Sequence, residues 1–158
     1  MIIALGLAGN AFAGAAFGVT VGPVVPLDRQ TTLDAGMQYS AYFGDRASIG
    51  PVHLQPELVG RWNAAADAGA LGAGGAVTLS IGPVALGPYA HVGVALSRNF
   101  GPAGDIGALG EITLLKPLFL GLRTGWQRDG VGYSSGGFVD SPAGTHWFGA
   151  SAEVGLVF

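Results

Sequence analysis

Apolar residues recur at every second position through segment after segment of this chain, and that period decides what it can fold into. In the stretch THWFGASAEVGLVF at 145–158, Phe148, Ala150, Ala152, Val154, Leu156 and Phe158 share one parity. Trp147, Gly149, Ser151, Glu153, Gly155 and Val157 share the other. A period of two belongs to a β-strand, whose successive side chains point to opposite faces. The same alternation marks seven earlier segments: Phe17–Val21, Leu33–Phe43, Val52–Trp62, Leu71–Ile81, Ala90–Leu96, Ile106–Leu114 and Leu118–Trp126. The sequence therefore predicts eight strands, most of them near the roughly nine to eleven residues that cross a bilayer at a tilt.

Composition sharpens this. Mean hydropathy is +0.47, yet there is no run of about 18 apolar residues from which to build a spanning helix. Charged residues make up 11% of the 158 positions, against about 25% in an ordinary soluble domain. The 29 glycines follow no collagen-like period. A chain this apolar, without a spanning helix, must carry its hydrophobicity in alternation, which is the signature of a transmembrane barrel. The net charge of −3 and the lack of any basic run argue against a nucleic-acid partner. With no cysteine, neither a disulfide framework nor thiol chemistry is available.

The placement of charge tells inside from outside. Asp34, Glu57, Arg61, Glu111, Arg123 and Glu153 fall within the predicted strands, all on the small, polar parity. A soluble barrel would turn that parity to water and stud it with Lys and Glu. Here its other members are mostly Gly, Ala, Ser and Thr, which suit the interior of a narrow barrel packed with side chains. These six residues are expected to form an ion-pair network in the lumen. A tight turn near Lys116 would set residue 111 opposite about 121, leaving Glu111 and Arg123 as diagonal neighbours about 7–8 Å apart. That register predicts a Glu111–Arg123 salt bridge, an analogous Asp34–Arg61 pair, and no basic partner for Glu153. Acids exceed arginines in this set, a surplus that His53 or His91 would offset if charged.

Loop lengths give a direction. Short turns are expected at Gly44–Gly50, Gly82–Leu86 and Leu115–Pro117, on the side of the carboxyl terminus. The generally longer loops 22–30, 63–69, 98–104 and 127–144 lie at the other end, as in barrels whose long loops face outward. Trp62, Trp126 and Phe148 then fall at the outer end of the apolar parity, where an aromatic girdle belongs. Pro56 sits mid-strand and Pro88 near a strand start, neither with a ladder donor; either a bulge at Pro56 absorbs this, or the register there is off by one, which would move His53 or Arg61 to the other face. Met1–Ala13 reads as the end of a secretory signal peptide: Ile2–Leu7 form an apolar core and Ala11-Phe12-Ala13 a cleavage site, although the first basic residue is Arg29. Residues 14–158 remain as the barrel.

The last strand, ending on Phe158 with Leu156 and Val154 at alternate positions before it, resembles the closing strand of bacterial outer-membrane β-barrels. The pattern over 14–158 resembles the small eight-stranded members typified by the OmpA membrane domain and OmpX. This resemblance implies an all-β, eight-stranded antiparallel up-and-down transmembrane β-barrel, porin-like in architecture, in the outer membrane of a Gram-negative bacterium. It also implies that Phe158, Leu156 and Val154 form an assembly signal read by the barrel-assembly machinery. Outer-membrane lipid would surround the wall, and loops 22–30 and 127–144 would meet an unknown surface partner.

Little in the sequence points to catalysis. There is no P-loop, dinucleotide fingerprint or zinc-ligand spacing, so neither cofactor nor metal is expected. His53, His91 and His146 are far apart in the chain. Gly149-Ala150-Ser151 opens like a nucleophile elbow, but Glu153 stands where the closing Gly should be and a strand is the wrong context. The resemblance leaves one enzymatic alternative, a lipid-A deacylase or acyltransferase, whose site needs Ser beside His with an orienting carboxylate. His91 and Ser97 share a face about 20 Å apart; His146 could meet Ser134, Ser135 or Ser141. A soluble ligand-binding barrel is a third reading. The expectation is a plugged barrel with a structural or surface-interaction role and no catalytic residues.

Overall fold

In the computed structural model, residues 12–27, 34–96, 101–129, 133–134, 137–138 and 146–158 are described. The strands are β1 (Phe12–Pro26), β2 (Gly36–Ile49), β3 (Val52–Asn63), β4 (Ala68–Ile81), β5 (Val84–Ala95), β6 (Gly101–Leu115), β7 (Leu118–Asp129), the short pair β8 (Tyr133–Ser134) and β9 (Gly137–Phe138), and β10 (His146–Val157). Eight of them close in the order β1-β10-β7-β6-β5-β4-β3-β2, every neighbour antiparallel. β8 and β9 pair separately within the segment between β7 and β10. The fold is a closed eight-stranded up-and-down barrel.

Its stagger follows from the register. Register partners run from Pro26 through Trp147, Gln127, Asp105, His91, Gly74, Glu57 and Gly44 to Ala16, ten residues from the start on the same strand. Such a stagger forces the strands to tilt, by about 35–45° in barrels of this kind, and leaves an interior that side chains can fill.

Parity holds on every wall strand. Outward residues such as Leu58 (64% exposed), Leu122 (67%) and Val92 (75%) are bare, whereas the inward set contains nearly all the buried polar groups. Asp45 breaks the rule by pointing outward, close to the turn at the end of β2. Lumen glycines let the strands close. A Cβ on Gly93 would collide with the Leu71 carbonyl oxygen, and one on Gly44 with that of Pro56.

The strands are longer than the alternation alone suggested. β2 runs on through 44–49, so the turn contracts to Gly50-Pro51, with Gly50 at φ 60°. β1 continues through Gly22–Pro26, β4 begins at Ala68, β6 at Gly101, and β7 reaches Asp129. β1 also starts at Phe12, so Phe12 and Ala13 of the expected leader pair with Ser48 and Ala47; residues 1–11 lie outside the described set. Neither a bulge nor a register slip occurs at Pro56. Pro56 pairs with Gly75 inside an unbroken register and points outward. Among the described residues the register shifts between Thr113 and Leu115, beside the turn into β7.

Candidate functional site

The lumen is a stack of polar layers. At its centre Arg123, from β7, reaches two carboxylates on different walls. Its Nη1 and Nη2 donate to Glu57 of β3 at 2.8 and 2.9 Å, and its Nε and Nη2 to Glu153 of β10 at 3.0 and 3.2 Å. The fork geometry of a guanidinium suits such paired acceptance. The Tyr42 and Tyr89 rings flank it, their centroids 4.3 and 5.3 Å from Cζ, and the Tyr42 hydroxyl donates to Glu153.

His91, from β5, joins this layer to a second. Its Nε2 lies 2.8 Å from Glu57 and its Nδ1 2.6 Å from Asp105 of β6, which also accepts from Arg61 Nη1 at 2.8 Å. Ionised carboxylates only accept, and an imidazolium ring can donate to both at once. On the carboxyl-terminal side, Arg46 Nη2 contacts Glu111 at 2.6 and 2.8 Å while its Nε donates to Gln55, whose amide in turn donates to Glu57. Phe119 lies under Arg46, its ring centroid 5.2 Å from Cζ. Nearer the rim, His53 sits between the hydroxyls of Ser48 and Ser80.

Removing ions from water is expensive unless each finds partners, and a well-paired buried set need only break even. Every carboxylate in the stack has a basic partner: Glu57, Glu111 and Glu153 have arginines, and Asp105 has Arg61 and His91. These four acids face three arginines and His91, so an imidazolium at position 91 makes the stack electrically neutral. Counting Arg46 halves the surplus of two acids read from the sequence, and a charge on His91 removes the remainder.

Of the six residues expected in the lumen, Glu57, Arg61, Glu111, Arg123 and Glu153 are there and buried. Asp34 is not; it is exposed and precedes β2. Both expected pairings are corrected. Glu111 takes Arg46 and Arg123 takes Glu57, because the barrel is narrow enough for side chains to meet across it; Arg123 also takes Glu153, its diagonal neighbour on the adjoining strand β10. Arg61 takes Asp105. Glu153, expected to lack a base, shares Arg123. Arg46 and Asp105 were overlooked because each lies beside glycines that read as turn or loop.

The outer wall carries Trp62, Trp126 and Phe148 at the end opposite the carboxyl terminus, 46%, 37% and 45% exposed. Trp126 pairs with Phe148 in the ladder and stacks on His146 at 5.2 Å. Leu156 and Val154 line the outward face of β10. Phe158 follows that strand, its amide donating to Ala15 O at 3.0 Å and its side chain 73% exposed. Ser97, Ser135 and Ser141, residues 28–30 of the first loop and most of loop 127–144 lie outside the described residues. No metal-binding cluster of His, Asp or Glu occurs among the described residues.

No family model and no curated protein matches this sequence. Among solved structures, the chain is similar to Neisserial surface protein A, at 12% identity and a TM-score of 0.58, over 95% of this chain and 100% of that one. It also matches a structure from a study of de novo designed transmembrane β-barrels, at 17% identity and a TM-score of 0.48, over 90% of this chain and 95% of that one.

Proposed function

We propose that the protein is a small outer-membrane β-barrel of a Gram-negative bacterium, with a structural or surface-interaction role and a lumen closed by its own side chains. The observation that carries this is an inside-out distribution of polarity. Val92, Leu122 and Leu58 are bare on the outside, while Glu57, Glu111, Arg123 and Glu153 are all at most 7% exposed inside. Water tolerates the reverse arrangement, and hydrocarbon requires this one. Closure removes unpaired strand edges, the other condition that a bilayer imposes. A soluble ligand-binding barrel would keep its apolar side chains within.

The role assigned is passive. Arg123, Glu57, Glu153, His91, Arg61 and Asp105 hold one another in the middle of the lumen, which favours a plug over a path. His91, one candidate base for a lipid-A-modifying site, is engaged by two carboxylates. The surface partner is assigned to the outer loops 22–30 and 127–144, and assembly to a terminal signal of Phe158, Leu156 and Val154.

Heat-modifiability tests this reading. Expressed in a Gram-negative host, the full chain should partition with the outer membrane and migrate faster on SDS gels before boiling than after. A soluble protein with one mobility would overturn it.

A further inference from the structure

A small cavity lies on the outer side of the Arg123 layer. It measures about 30 Å3 and is lined by Thr20, Gln38, Ser40, Tyr89, Gly149 and Ser151, among others. Its inner wall is Arg123 with Tyr42, both committed to the ion-pair layer. Farther out along the same strands, Val24 (β1), Asn63 (β3) and Trp147 (β10) are fully buried. The cavity is therefore a chamber between two packed layers rather than the mouth of a pore.

One group in it is unaccounted for. Gln38 is 8% exposed, and among the described residues its Oε1 accepts from no protein donor. A buried acceptor left unmet forfeits the hydrogen bond it would make to water, so such an atom points to an occupant. Nearby, Thr20 Oγ1 and Ser40 Oγ bond each other at 2.5 Å and keep further capacity to accept, as does the Ser151 hydroxyl. Asp105 and Arg123 already hold their ionic partners, so the chamber offers no unbalanced charge to a dissolved ion. The lining is polar, hydroxyl-rich and neutral.

We propose that this chamber binds internal water, about two molecules, held by Gln38 Oε1 and the hydroxyls of Thr20, Ser40 and Ser151. Size and chemistry agree. A bound water needs roughly 10–15 Å3 of such space and about three polar partners. The waters complete the hydrogen bonding of the chamber wall, as the salt bridges do for the Arg123 layer beside it. With Arg123 on the inner side and the buried side chains of Trp147, Val24 and Asn63 farther out along the strands, they exchange slowly with bulk solvent. The inference concerns the interior alone and stands whichever membrane or solvent surrounds the wall.

Water-to-protein cross-relaxation in the isotope-labelled full chain, refolded in detergent micelles, tests it. The folded protein should show long-lived water cross-peaks to the Gln38 side-chain amide and to Ser151. Gln38→Leu should abolish those at Ser151, and Ser151→Ala, which removes one hydroxyl and spares the ion pairs, should weaken those at Gln38. A folded wild-type spectrum without such peaks would overturn the proposal, meaning that the Gln38 amide turns to a protein donor and the chamber is dry. Peaks undiminished in both variants would overturn it equally.

Discussion

Arg123 pairs with Glu57 across the barrel, 66 positions away in the chain, and not with Glu111, its diagonal neighbour on the adjoining strand. The choice follows from the register. Leu109 stands directly opposite Arg123 and Gly121 opposite Glu111, which leaves the guanidinium room to extend over the Tyr42 ring to the far wall. Glu111, closer to the carboxyl-terminal end, is then within reach of Arg46.

This relationship predicts a coupling. Arg123→Met leaves Glu153 without a base and Glu57 with His91 alone, and should cost about 3–5 kcal/mol, as for other broken buried pairs. Reversible urea unfolding from lipid vesicles would measure it. A double-mutant cycle of Arg123→Met with Glu57→Gln should show an interaction above about 1 kcal/mol. The cycle of Arg123→Met with Glu111→Gln should be nearer additive. The opposite ranking would place Arg123 on the wrong partner.

Gly93 and Gly60 should respond in opposite ways to a side chain. Gly93 faces the lumen with the Leu71 carbonyl oxygen where a Cβ would go, so Gly93→Val should destabilise by about 1–3 kcal/mol through overpacking. Gly60 lies on the outer parity, and its nearest neighbour is Leu71 Cδ2 at an ordinary 3.5 Å. There a β-branched residue should be neutral or stabilising, within about 1 kcal/mol. Equal losses at both positions would contradict the assignment of faces.

Charge on the outer wall should cost according to depth. Val92→Arg, in mid-strand, should lose about 2–4 kcal/mol in vesicle folding, and Ile81→Arg, beside the Gly82 turn, about 0–1 kcal/mol. Both side chains are highly exposed, at 75% and 71%, so an aqueous surface would treat them alike. Matching costs would count against a lipid-facing wall.

Phe158 separates folding from assembly. Its side chain is 73% exposed and its amide makes one ladder bond to Ala15 O. Phe158→Asp should therefore fold into vesicles with nearly the wild-type yield, while its yield in the outer membrane of cells falls steeply. Normal cellular insertion would rule out the assembly-signal reading.

The faces of the strands were legible in the sequence, and their ends were not. Parity is a property of each residue's own neighbours, so even Glu57, next to Pro56, was assigned to the correct side. Ends were misread where glycine serves close packing rather than turning. Gly44 read as the start of a turn, yet it is the point where β2 approaches the Pro56 carbonyl, and the strand continues to carry Arg46 into the lumen. Gly101, Pro102 and Gly104 read as loop, yet they pair with β5 and bring Asp105 beside His91. The partners within the lumen were not legible either. Adjacency along a hairpin says nothing of contacts across a barrel, which depend on the ten-residue stagger and therefore on all eight registers together.

The central claim is that the apolar parity faces lipid, and the chain's lack of cysteine makes it directly testable. Single cysteines at Leu58, Val92 and Leu122, on three different strands, would each be labelled with an environment-sensitive fluorophore in the vesicle-reconstituted protein. The account predicts blue-shifted emission at all three, quenching by nitroxide lipids and protection from aqueous iodide. Water-like emission quenched by iodide and untouched by the nitroxide lipids would contradict it.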